Sequence, residues 1–195
     1  MPITQVDIAN EALDLVGAST ILSLNDPTPE ARIVARQLWA TVDRVLQSYP
    51  FACALKRATL DADQGISLPN VQAFRLPEDC LRTHQVEADR WQQEQIDGRR
   101  CLTVENAGTK SLAITYVARL SDPNQLDPLV RELIALELAI KIAASLTESP
   151  QRISALTRKA IHVRKLAQQT DARQQSSVPM TRGTKATLWS DEIGG

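Results

Sequence analysis

The sequence predicts a mixed α+β fold: a four-helix core of two helical pairs, a small antiparallel β-sheet inserted between them, and an extended C-terminal arm. Three observations carry this. Four stretches near the two ends repeat apolar residues at three and four, the helical period. Between them, from Phe51 to Val117, short β-type runs alternate with turn residues. After Gln175 the periodicity ends, and Ser, Thr, Gly and Pro dominate. The expected division is a helical domain of 1–50 and 118–175, a β-rich subdomain of 51–117 and an arm of 176–195.

The first helix is expected over Gln5–Val16, with Thr4 as N-cap, Asp7 three residues on, and Gly17 as the stop. The second should start at the Thr28 cap with Pro29 inside it and end near Ser48, ahead of Pro50. Its buried face is expected to hold Ala31, Val34, Ala35, Leu38, Val42, Val45 and Leu46, with Ile33 opposite, exposed and a candidate for contact with a neighbouring subunit. One sheet of four or five strands should follow. It includes a hairpin of 91–96 and 100–104 about Asp97-Gly98. Pro128–Leu146 is the most apolar long stretch, yet Arg131, Glu132, Glu137 and Lys141 argue against a membrane span. It reads as an inner helix capped by Asp127, with an apolar surplus at Ile134 and Ile142 that a neighbouring subunit would cover. A fourth helix, capped by Ser149, should return antiparallel to it as far as about Gln174.

Composition narrows the function. A chain of 195 residues with 43% hydrophobic content and net charge −1 builds a real core and does not announce nucleic-acid binding. Three scattered cysteines are not a disulfide framework, and the N-terminus lacks the pattern of a signal peptide. Cys80 and His84 form one weak pair, with Cys101 and His162 elsewhere, short of the four paired ligands of structural zinc. No metal and no cofactor is expected. The same pair lacks a third group for nucleophilic catalysis, and no G-x-S-x-G or phosphate loop occurs. Asp26 with Glu30, or Glu78 with Asp79, are the carboxylate pairs that glycan cleavage would use. Adjacent acids in loops are more often turn and cap residues. A non-enzymatic protein is expected, with a peptidoglycan-cleaving enzyme as the alternative.

The fourth helix sets six basic residues against Asp171 alone among acids. Arg158, His162 and Lys165 share one side, which suits duplex phosphates, solvent, or acids of a neighbouring subunit. A non-specific DNA-binding module is thus a third reading. In the arm, Leu188, Trp189 and Ile193 have the character of anchors that order on a partner.

The order of segments resembles the tail tubular protein A family of short-tailed bacteriophages and related packaged-DNA stabilisation adaptors. The carriers, over roughly residues 3–170, are LVGA at 15–18, ILSLNDPTPEA at 21–31, LQSYPFACALKRATL at 46–60, FRLPEDCLRTHQV at 74–86, and ITYVARLSDPNQLDP ahead of the apolar helix. Leu76-Pro77 followed by Asp79-Cys80-Leu81-Arg82 is the most specific piece. The family commonly has tryptophan and a second aromatic where Phe51 and Cys53 stand here. The resemblance implies no active site. It implies a structural head-to-tail connector, a monomer when free, that forms a ring of about twelve subunits on the portal protein. The ring would extend the channel for packaged double-stranded DNA and receive the next tail component, a nozzle or tail tube protein. It also implies location in the neck of the virion, after assembly in the host cytoplasm, and an arm that grips the portal or a neighbour.

Overall fold

Thr4 closes a full capping box on the first helix, α1 (Gln5–Val16): its hydroxyl accepts from the Asp7 N–H at 3.2 Å, while the Asp7 carboxylate accepts from the Thr4 N–H at 2.7 Å. Gly17, at φ 75°, ends the helix in the left-handed region. The computed structural model describes residues 2–66, 69–105, 108, 110–146 and 149–175.

The loop after α1 is held by side chains. Asn10 bonds both the N–H and the carbonyl of Ile21, and the Asp26 carboxylate accepts from the N–H groups of Leu22 and Ser23. The second helix, α2 (Pro29–Ser48), begins where expected, with the Thr28 hydroxyl accepting from the Ala31 N–H. Ala35 is exposed, and Thr41 takes a buried place instead, returning its hydroxyl to the Gln37 carbonyl. Ile33 is half-buried against the edge of the core, not exposed as its place on the helix suggested.

The helix α3 (Pro128–Leu146) is buried on almost every side, and α1, α2 and α4 (Pro150–Gln175) each pack on it. Between α1 and α2 there is little contact, so the two expected pairs become three helices around one. A helix that is apolar all round is stable only when every side is covered. Each amphipathic helix has a single apolar stripe to offer, and all three spend it on α3. One correction follows. Ile134 and Ile142 have 0% exposure within this single chain, so neither is a subunit-interface residue.

Among the described residues between α2 and α3 lie six strands: β1 (Leu55–Asp61), β2 (Gln72–Arg75), β3 (Cys80–Val86), β4 (Trp91–Ile96), β5 (Arg99–Val104) and β6 (Ser111–Ala118). They form two three-stranded antiparallel sheets, in the orders β1-β6-β3 and β2-β5-β4, where one sheet was expected. The hairpin is where Asp97-Gly98 places it, both residues at positive φ as a type I′ turn requires. It pairs with β2 and closes a second core around Phe74, Leu102, Ile114 and Tyr116. Among the described residues, one isolated bridge, Ala62 to Phe74, ties the two sheets.

The pleat of the first sheet serves two cores. Tyr116 and Ala118 point into the core between the sheets, while Val117 belongs to the helical core. Cys80 and Leu81 divide in the same way on β3. Among the described residues, no helix is long and apolar enough to cross a membrane.

Candidate functional site

The catalytic and metal candidates do not converge. Cys80 is buried in the core between the sheets, and His84 on the same strand is exposed. β3 carries two register shifts between Cys80 and Gln85, which break the simple alternation that would have aligned them. Burial pushes the Cys53, Cys80 and Cys101 thiols up, away from the thiolate that nucleophiles and metal ligands need. Among the described residues, no three His, Cys, Asp or Glu side chains cluster as a metal would require. Glu30 stands in the first turn of α2, and Glu78 is in the loop before β3. That loop leads to Leu81, whose carbonyl is held by Gln47 at the other end of α2. A helix of that length spans about 28 Å, so the two glutamates do not share a cleft. Their neighbours are occupied: Asp26 by its own loop, Asp79 by the joint described next.

The most specific sequence piece, 76–82, builds that joint. The Asp79 carboxylate accepts from the Tyr116 hydroxyl at 3.1 Å and pairs with the Lys56 ammonium at 2.8 Å, so one acid ties β1 to β6. Its backbone carbonyl accepts from the Arg119 N–H, and the Arg119 guanidinium pairs with Asp43 on α2. The Arg100 guanidinium donates to the Cys80 and Leu81 carbonyls. The piece thus joins sheet, sheet and helix.

Burial raises the Asp79 carboxyl, but the Lys56 ammonium and the Tyr116 hydroxyl outweigh it, and the acid lies below its ordinary value. Its stabilising contribution is present above the unfolded value of about 4 and is lost as pH falls through the lowered folded value. Burial first, then the bond to Asp79, push the Tyr116 hydroxyl up to about 12. That contribution is complete below the unfolded value of about 10 and disappears as pH climbs through the folded one. An alkaline titration followed by tyrosinate absorbance should therefore show a tyrosine that ionises only at about 12. Asp79→Asn should bring that step down. A step that does not move would mean the carboxylate is not what holds the hydroxyl.

On α4 the basic residues divide into two sets. Arg152 donates to the Val16 carbonyl, Lys159 pairs with Glu132, and Arg164 pairs with Glu137. Asp171, almost fully buried, accepts from the Ala52 N–H at 2.7 Å and caps the 3-10 turn that starts the sheet region. Arg158, Lys165 and Arg173 are exposed and have no ion pair among the described residues. Arg158 and Lys165 therefore stand with His162 on the outer side of the helix, where the period placed them. Ile161 and Leu166, 60% and 42% exposed, lie to either side.

Sequence reasoning missed two features. Glu137, on the most apolar helix, is 6% exposed and held between Arg44 of α2 and Arg164 of α4. Nothing local distinguishes it from Glu132. The second is the outer side of α1, where Asp7, Glu11 and Asp14 are all exposed. Their spacing of four and three, in a helix with no basic residue, was a readable signal. Burial and the nearby Glu132 push the Glu11 carboxyl up, against Lys159 and Arg131. Leu188, Trp189 and Ile193 lie outside the described residues.

The fold is mixed α+β, with exposed large apolar side chains at Leu22 in a loop, at Trp91 on β4 and at Ile161 and Leu166 on α4. No known family model matches the chain. No curated protein matches it either.

Proposed function

We propose that the chain is a non-enzymatic head-to-tail connector of a short-tailed bacteriophage. In this reading it docks as a ring of about twelve copies on the portal protein, extends the DNA channel and presents the attachment site for the next tail component. The observation that carries the reading is the order of segments that resembles the adaptor family, and above all the 76–82 piece. Its place in the fold supports the reading: Asp79, Cys80 and Leu81 form a joint between three structural layers, which is what an architectural motif would do. The protein would be located in the neck of the virion, after assembly in the host cytoplasm.

Electron microscopy of the protein mixed with its portal protein tests this. Rings on the portal are the expected result, and unaltered bare portals would sink the reading. The arm supplies a finer test. Deleting 176–195 should leave the helices folded by circular dichroism and abolish portal docking. Trp189→Ala should weaken docking by about 1–3 kcal/mol if the ring fills a pocket. Docking unchanged by both would remove the anchor role of Leu188, Trp189 and Ile193.

A further inference from the structure

The outer faces of α1 and α4 are opposite in charge and alike in build. On α1, Asp7, Glu11 and Asp14 form an exposed acidic line with half-buried Val6 and Leu15 beside it. On α4, Arg158, His162 and Lys165 form an exposed line with Ile161 and Leu166 beside it. Asp14, Arg158 and Lys165 have no ion pair among the described residues, and the Asp7 carboxylate answers only its own N-cap. Both helices use their inner stripe on α3, which is covered on nearly every side. Glu11 lies at the edge of the α1 face, beside Glu132, Arg131 and Lys159 of its own chain, while Asp7 and Asp14 are exposed farther round the helix.

We propose that the acidic outer face of α1 is the docking surface for the basic outer face of α4 on a second copy of this chain. Like faces of two copies would repel, and unlike faces attract, so the pairing is heterologous. A contact of that kind leaves each copy with one face open, to be filled by the next. Duplex DNA is the less favoured occupant of the α4 face. Ile161 at 60% exposure and Leu166 at 42% would gain nothing beside phosphates, whereas a protein face would cover them. The inference rests on the adaptor reading only for the identity of the second copy.

The test is carbodiimide cross-linking, at low salt and with the portal protein present, of ordinary full-length chains mixed one-to-one with heavy-isotope-labelled chains. This reagent joins a carboxylate to a lysine in direct contact. The expected product links Glu11 or Asp14 of one isotope to Lys165 of the other. Its yield should fall at least about tenfold in high salt, where the Debye length drops to roughly 3 Å. The variants Glu11→Lys/Asp14→Lys and Arg158→Glu/Lys165→Glu should each lose the homotypic link. Mixed with one another, they should regain it between the exchanged positions. Circular dichroism checks folding, and the single changes Asp14→Lys and Arg158→Glu, at exposed positions, repeat the exchange with less disturbance.

Absence of the wild-type link, or no recovery on mixing, overturns the contact. So does a duplex oligonucleotide that binds wild type and is lost with Arg158→Glu/Lys165→Glu while no inter-copy link forms. Rings on the portal without this link would leave the adaptor reading standing and remove only the contact. A link without portal docking would do the reverse.

Discussion

Glu137→Ala is expected to lower the unfolding free energy by about 2–3 kcal/mol. The carboxylate is 6% exposed and accepts from Arg44 at 2.5 Å on one oxygen and from Arg164 on the other. Removing one member of a buried ion pair costs about 3–5 kcal/mol, because the remaining charge has no partner. Here the arginine side chains keep 50% and 39% exposure, so water screens part of that loss and the lower figure applies. Two details push the other way. Arg164 Nε is already buried without a partner among the described residues. Burial and the Arg44 charge hold the Lys141 ammonium below its ordinary value, with Glu137 opposing them. Without Glu137, three cations would face one another.

For a chain of this size the loss corresponds to about 5–10 °C in Tm. Urea unfolding followed by far-ultraviolet circular dichroism measures it. A change under about 0.5 kcal/mol would mean that both arginines are solvated without the acid, as exposed pairs are. Glu137→Leu combined with Arg164→Leu should recover most of the loss, since an apolar replacement removes the desolvation cost with the attraction.

Phe74→Ala should act as strongly and elsewhere. Phe74 has 0% exposure, is registered opposite Leu102, and sits at the Ala62 bridge between the sheets. Truncating a buried phenylalanine costs about 3–5 kcal/mol through lost transfer energy and the cavity left behind. The helical core shares no buried residue with the core between the sheets. Amide exchange in β2 and β5 should therefore accelerate while α3 stays protected, because the sheets can open without exposing the helices. Equal acceleration in both regions would show that the 76–82 joint couples the two cores into one cooperative unit.

Most of the element limits were readable because their causes are local. Thr4 and Gly17 bound α1, Thr28 and Pro29 start α2, and Pro128 and Pro150 open α3 and α4. Asp97-Gly98 marks a hairpin whatever surrounds it. The exposed line of Arg158 and Lys165 was legible for the same reason, since a 3.6-residue period assigns sides without a partner in view. The role of Arg164 was not legible. It stood among the basic residues of α4, and only contact with Glu137 separates it from Lys165. The joint at Asp79 was visible as a motif, but its work depends on Lys56 and Tyr116, which lie 23 and 37 residues away.

The sequence by itself determined the class of fold, the four helices, the caps at Thr4 and Thr28, the β-rich insertion and the buried stripes of α1 and α4. Propensity, capping and periodicity act within a few residues and need no knowledge of the rest. Tertiary structure alone decided that α3 is enclosed by three helices, that Ile134 and Ile142 serve their own chain, that the strands divide into two sheets, and that Glu137 is the buried acid. Those outcomes depend on which surfaces meet. Pro128–Leu146 announces that it must be covered, but the covering is supplied by α1, α2 and α4, held there by loops and salt bridges that join residues far apart in the chain.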